Sequence, residues 1–133
     1  MERRIGTRPQ RVLVVDDSAE IRELWRLWLN FWGFAVQEAA NGAEAVQKAR
    51  LNPPDLVLMD LWMPVLDGLE ATRQLKEYPS TAHVPVVALS AQTVSPEPKE
   101  VTEAGAKAFV QKPCDPDELL GHIRSALSRL RAQ

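Results

Sequence analysis

The stretch VLVVDDSAEIRELW, residues 12–25, decides how this chain reads. Four apolar residues, Val12 to Val15, stop at two neighbouring aspartates, Asp16 and Asp17, and a helical pattern follows. Ending a buried strand in two negative charges is costly. At about 4 Å and an effective dielectric near 20, two carboxylates repel by about 4 kcal/mol, so the pair asks for a cation.

Outward from this stretch, apolar runs and turn signals alternate. RVLVV leads into SAEIRELWRLWLNFW, FAVQEA into NGAEAVQKAR, DLVLMD into LEATRQLKEY, VPVVALS into PEPKEVTEAG, and KAFVQK into DPDELLGHIRSALSRLRAQ. These segments read as five strands, each followed by a helix. Several strands are unbroken apolar runs, as a sheet covered on both faces requires. The expected fold is α/β: a doubly wound, five-stranded parallel sheet flanked by five helices. The punctuation agrees, with Gly33 closing the first helix, Asn41 and Asp115 capping the second and fifth, and Pro53 and Pro54 preceding the third strand. Pro96 and Pro98 leave room for only a short, mobile fourth helix.

The 133 residues, 45% hydrophobic and 26% charged, suit one compact domain. We take residues 1–10 as a basic N-terminal extension and 11–131 as the domain. No run approaches the roughly 20 apolar residues of a membrane helix, and MERRIGTRPQR has no apolar segment behind its arginines. A cytoplasmic protein is expected. The single cysteine, Cys114, excludes an internal disulfide and a cysteine-based metal cluster, and reads as a small core residue. A net charge of −2 argues against direct nucleic-acid binding. The arginines near the two ends, Arg3, Arg4, Arg8 and Arg11, then Arg124, Arg129 and Arg131, read first as solvated termini and second as a surface for an acidic partner.

In sheets of this class, ligands bind beyond the carboxyl ends of the strands. Strand one ends in Asp16 and Asp17, strand three in Asp60, strand four in Ser90, and strand five in Lys112. Three carboxylates against one lysine leave a local charge of −2, which one divalent cation neutralises. Oxygen-only ligands select a hard ion, so Mg2+ is expected, with Mn2+ as substitute. Asp60 is the natural nucleophile, because carboxylates form aspartyl-phosphates and this one stands alone at the end of the central strand.

VVDD at 14–17, MDLWMPVLDG at 59–68, ALSA at 88–91, AGA at 104–106 and QKP at 111–113, in this order and spacing, resemble the response-regulator receiver domain, whose members include single-domain chemotaxis regulators. The likeness runs from about Arg11 to Leu130. It implies the flavodoxin-like receiver fold and a role in two-component signalling. Asp60 would accept a phosphoryl group from a phosphohistidine on a sensor histidine kinase or a histidine phosphotransfer protein. Asp17, Asp60 and the backbone carbonyl of Trp62 would ligate Mg2+, with Asp16 acting largely through water. Lys112 would pair with the phosphoryl group, and its bond to Pro113 would be cis. Ser90 would swing to the phosphoryl group and Phe109 would follow inward, switching the output face made by helix four, strand five and helix five for a downstream protein. Such a protein turns over no substrate beyond its own phosphorylation and autodephosphorylation.

Two departures from the family pattern stand out. The switch aromatic, often tyrosine, is Phe109, which has no hydroxyl. Trp62 and Gln92 occupy positions that tune how water reaches the phosphoryl group. A bulky indole at 62 leads us to expect slow autodephosphorylation.

The first helix carries a further signal. Ile21, Leu24, Trp25, Trp28, Leu29 and Trp32 share one face and are expected in the core. Leu27 and Phe31, four apart, fall off that face and suggest a contact patch, for the phosphodonor first and for a homodimer second. His83 and His122 carry no expected catalytic role.

Three other readings compete with this one. An aspartate-nucleophile phosphohydrolase of the haloacid dehalogenase type would need a second acid where Trp62 stands. A dinucleotide site would need a glycine-rich turn in place of DDSAE. A degenerate receiver, binding partners without phosphorylation, is the third. The chain reads as a receiver alone, either free-standing or part of a hybrid kinase or transcription factor.

Overall fold

The computed structural model describes residues 8–61, 67–90 and 98–131, the final three as backbone only. Ten elements alternate along the chain: β1 (Arg11–Val15), α1 (Ala19–Phe31), β2 (Ala35–Ala39), α2 (Gly42–Leu51), β3 (Leu56–Asp60), α3 (Gly68–Glu77), β4 (Val86–Ser90), α4 (Pro98–Ala104), β5 (Ala108–Gln111) and α5 (Pro116–Arg131). The strands form one parallel sheet in the order β2-β1-β3-β4-β5. The chain starts in β1, steps out to β2, then crosses back past β1 to β3. A crevice therefore opens at the carboxyl ends of β1 and β3, where the winding direction reverses.

Alternation along the strands feeds two cores. Leu13, Val15, Val57, Met59, Val86 and Ala88 face α2, α3 and α4 through Ala45, Ala49, Ala71, Leu75 and Val101. Val12, Val14, Leu56, Leu58, Val87 and Leu89 face α1 and α5 through Trp25, Leu29, Leu119 and Ile123. Each fully buried Val or Leu contributes about 1.5–3 kcal/mol, which is why the central strands β3 and β4 carry no polar residue until their carboxyl ends.

Local signals set the element boundaries. Ser18, Asn41 and Asp67 each cap a helix by accepting a backbone N–H with a side-chain oxygen. Gly33 takes φ of +96° just past α1, where its N–H donates to the Asn30 carbonyl. The Lys112–Pro113 peptide is cis, as the resemblance implied. Helix α4 is seven residues long, the shortest of the five helices. At the far side of the sheet Lys76, its stem packed on Gly105, donates to the carbonyls of Ala82 and Val84. Burial, helped by Lys107, pulls its ammonium below the usual lysine range.

Helix α1 departs from expectation at one position. Trp25 and Leu29 are buried, and Ile21, Trp28 and Trp32 pack against the same core, but Leu24 is 47% exposed. At 100° per residue Leu24 lies about 85° from the centre of the buried stripe, past the edge of what the sheet covers. Cys114 is half-buried against the core of α1 and α5, and burial pushes its thiol up. Among the described residues no helix is long and apolar enough to cross a membrane.

Candidate functional site

Asp16 follows β1 directly and Asp60 is the last residue of β3, so the pairing of these two strands sets both side chains at the crevice. Asp16 and Asp60 are 4% and 6% exposed, while Asp17 is open to solvent. One carboxylate oxygen from each lies within 4.8 Å of the others. Lys112 reaches in from the end of β5, its Nζ 3.3 Å from Asp16 Oδ2 and 3.8 Å from Asp60 Oδ1. Its backbone N–H donates to the Ser90 carbonyl at 2.8 Å, extending the β4–β5 ladder to the crevice. Ser90 is fully buried at the end of β4. The strand ends thus bring together Asp16, Asp17, Asp60, Ser90 and Lys112, as their positions in the sequence suggested.

Asp16 is held at every polar atom. Its N–H donates to the Ala39 carbonyl at 3.2 Å, and Oδ1 accepts the Ser18 N–H at 2.9 Å. Oδ2 faces Lys112, and its backbone carbonyl accepts Arg22 Nη1 at 2.7 Å. Arg22 is fixed in turn by Glu38 at 3.1 Å, and Glu38 also pairs with Arg26 at 3.4 Å. Sequence reasoning passed over Arg22 and Glu38. The one usable signal was an arginine on the turn of α1 nearest the aspartates, and that does not reveal a bond to a main-chain carbonyl.

Phe109 lies on the same face of the sheet as Ala88, one strand away, and packs half-buried against the core of α2, α3 and α4. Leu27 and Phe31 are 58% and 80% exposed on the outer side of α1, where Leu24 joins them. The ring of Phe31 meets that of Trp28 edge-on, 6.3 Å between centroids. Trp62 and Gln92, expected to tune hydrolysis, lie outside the described residues, as does the Trp62 carbonyl expected to ligate Mg2+.

Chemically, three carboxylates and one ammonium leave a net charge of −2 in a partly buried crevice. Every donor is a hard oxygen. The set suits a hard dication such as magnesium better than zinc, which favours nitrogen and sulfur.

Residues 12–124 match the family model of the response regulator receiver domain. The chain belongs to that family. This receiver is 37% identical over 123 residues to the transcriptional regulatory protein ResD of Bacillus subtilis, covering 92% of the chain and 50% of ResD. It is 32% identical over 119 residues to the polar-differentiation response regulator DivK of Brucella anthropi, covering 90% of the chain and 97% of DivK. The chain thus spans half the length of one relative and nearly all of another. Among solved structures, the receiver is similar to the chemotaxis protein CheY4 of Vibrio cholerae at 30% identity and TM-score 0.83, over 89% of this chain and 98% of that one. It is equally similar to the receiver domain of a sensor histidine kinase from Pseudomonas aeruginosa PAO1, at 29% identity and TM-score 0.83, over 90% and 98% of the two chains. That structure holds a magnesium ion coordinated in its active-site cleft. The receiver is therefore a signalling domain of a two-component system, the class in which phosphoryl groups come from histidine kinases.

Proposed function

We propose that the receiver takes a phosphoryl group from a phosphohistidine onto Asp60 and, so modified, changes a protein-binding surface. The convergence of Asp16, Asp17, Asp60 and Lys112 at the topological switch point carries this reading. An Asp60 carboxylate oxygen attacks phosphorus as the phosphorus–nitrogen bond to the donor imidazole breaks, and the released imidazole takes up a proton. Asp17, Asp60 and the Trp62 carbonyl would hold Mg2+, with Asp16 acting largely through water, and the ion would supply positive charge to the phosphoryl group. Lys112, shared between Asp16 and Asp60, turns its ammonium to the acyl phosphate. The Ser90 hydroxyl donates to a phosphoryl oxygen, and Phe109 follows into the space that movement leaves. The added charge and acceptor oxygens then bias the face of α4, β5 and α5 toward a downstream protein. Trp62 and Gln92 govern how water reaches the acyl phosphate, and the bulk of the Trp62 indole slows hydrolysis. The setting for all of this is the cytoplasm.

The direct test is intact mass after incubation with acetyl phosphate and Mg2+. Wild type is expected to gain one phosphoryl group, and Asp60→Asn or wild type in chelator to gain none. A folded, Mg2+-binding wild type that gains nothing would replace this reading with a phosphorylation-independent binding module.

The patch of Leu27 and Phe31 is proposed as the docking surface for the phosphodonor, since large exposed apolar side chains that share a helix face mark contact sites. A Leu27→Ala, Phe31→Ala double variant is expected to slow transfer from a histidine phosphodonor by about tenfold, the effect of losing a pair of interface anchors. Labelling by acetyl phosphate should be unchanged. Equal transfer rates in variant and wild type would remove phosphodonor docking from the patch, and a homodimer contact would take its place.

A further inference from the structure

Arg22 sits outside the acidic crevice, yet one of its bonds ends at the crevice wall and a second braces it on β2. Its Nη1 donates to the backbone carbonyl of Asp16 at 2.7 Å, and its Nε faces Glu38 Oε1 at 3.1 Å. The Asp16 carbonyl belongs to the peptide plane that joins Asp16 to Asp17. Asp16 is clamped at its own side chain by Ser18 and Lys112. The Asp17 carboxylate is exposed and makes no hydrogen bond or ion pair among the described residues. Among the described residues, only the main chain places it, through the plane that Arg22 holds.

We infer that Arg22, braced by Glu38, is a positioning residue for the cation site: it fixes the Asp16–Asp17 peptide plane and thereby aims the Asp17 carboxylate. The inference rests on the reading of Asp16, Asp17 and Asp60 as a magnesium site. Arg22 cannot serve that site through charge. A guanidinium near a cation repels it, and Glu38 is placed to offset that repulsion. Its planar fork suits the task, because separate nitrogens serve the carbonyl and the carboxylate at fixed angles.

Charge and position predict opposite signs. Arg22→Gln removes a positive charge beside an acidic site, which by itself strengthens Mg2+ binding. If Arg22 positions Asp17, the same change weakens it. Partners that orient metal ligands from outside the coordination shell are typically worth about 10–100-fold in affinity. Arg22→Lys keeps the charge and can reach the carbonyl, but an ammonium lacks the fork and holds the plane loosely.

The experiment is calorimetric titration of Mg2+ into metal-free wild type, Arg22→Gln and Arg22→Lys, with thermal unfolding of each in chelator. The expected affinity order is wild type, then Arg22→Lys, then Arg22→Gln, the last on the order of tenfold weaker than wild type. A folded Arg22→Gln that binds Mg2+ as well as wild type, or better, would overturn the inference even if it melts earlier, since a purely structural role moves the melting point alone. Should Arg22→Gln fail to fold, Arg22→Lys decides: weaker binding supports positioning, and equal binding overturns it. A wild type that takes up no Mg2+ would overturn the magnesium reading itself, an outcome separate from equal binding by all three proteins.

Discussion

Gly68→Ala is expected to lose about 3 kcal/mol of folding stability, the upper end of what overpacking costs, and most of the capacity for phosphorylation at Asp60. Gly68 opens α3 with its α-carbon against the main chain that leaves β3. A β-carbon there would stand 2.7 Å from Leu61 Cα and 2.9 Å from the Asp60 carbonyl carbon, and closer still to the Asp60 carbonyl oxygen. These neighbours are backbone, so no side-chain rotation relieves the clash. Either α3 withdraws or the end of β3 moves, and the end of β3 carries Asp60. The gain in helix propensity from alanine, about 1 kcal/mol in a helix interior, is too small to compensate. Gly121→Ala in α5 is the internal control, because a β-carbon there meets nothing within 4 Å. That variant should be more stable than wild type by about 0.5–1 kcal/mol. Urea unfolding of the two variants checks both signs, and a Gly68→Ala protein as stable as wild type would show that the helix start yields freely.

Asp60→Asn should be more stable than wild type in metal-free buffer while being unable to accept a phosphoryl group. Asp60 stands near two other carboxylates and shares one lysine with Asp16. Among these four groups, removing its charge deletes two repulsions and one attraction. With each interaction at most about 4 kcal/mol at these separations and tempered by solvent at Asp17, the net gain is about 1–3 kcal/mol. Adding Mg2+ should stabilise wild type more than the variant and narrow the gap, because an ion that binds only the folded state adds its binding free energy to folding. Paired unfolding curves in chelator and in Mg2+ measure both effects. A variant less stable than wild type in chelator would mean that Asp60 is held by hydrogen bonds that outweigh the repulsion.

The parts of this arrangement legible in the sequence are those written in side-chain type. Each apolar run had to end where burial ends, so DLVLMD announced both a central strand and an aspartate at its rim. The same logic placed Ser90 and Lys112. Contacts to main chain leave no such mark. Arg22 bonds a carbonyl, and an arginine in the first turn of an amphipathic helix looks like any solvated arginine. Gly68 reads as a poor helix former, whereas the need for it comes from a neighbouring backbone that only the folded chain supplies. Leu24 misled because a helical wheel gives angles and not the width of the surface covering them; α1 is covered over a narrower arc than its apolar residues span.

Asp16 and Lys112 stand 96 residues apart, on strands that are not neighbours in the sheet. The charge balance of the crevice is thus assembled from nearly the full span of the domain. A chain growing from its amino end has all three aspartates long before it has the lysine, and the lysine arrives only when β5 docks on β4. Competence at the proposed site is for that reason a property of the finished fold: the last strand of the sheet to be synthesised completes the charge balance that the proposed phosphoryl transfer uses, and a half-made sheet lacks it.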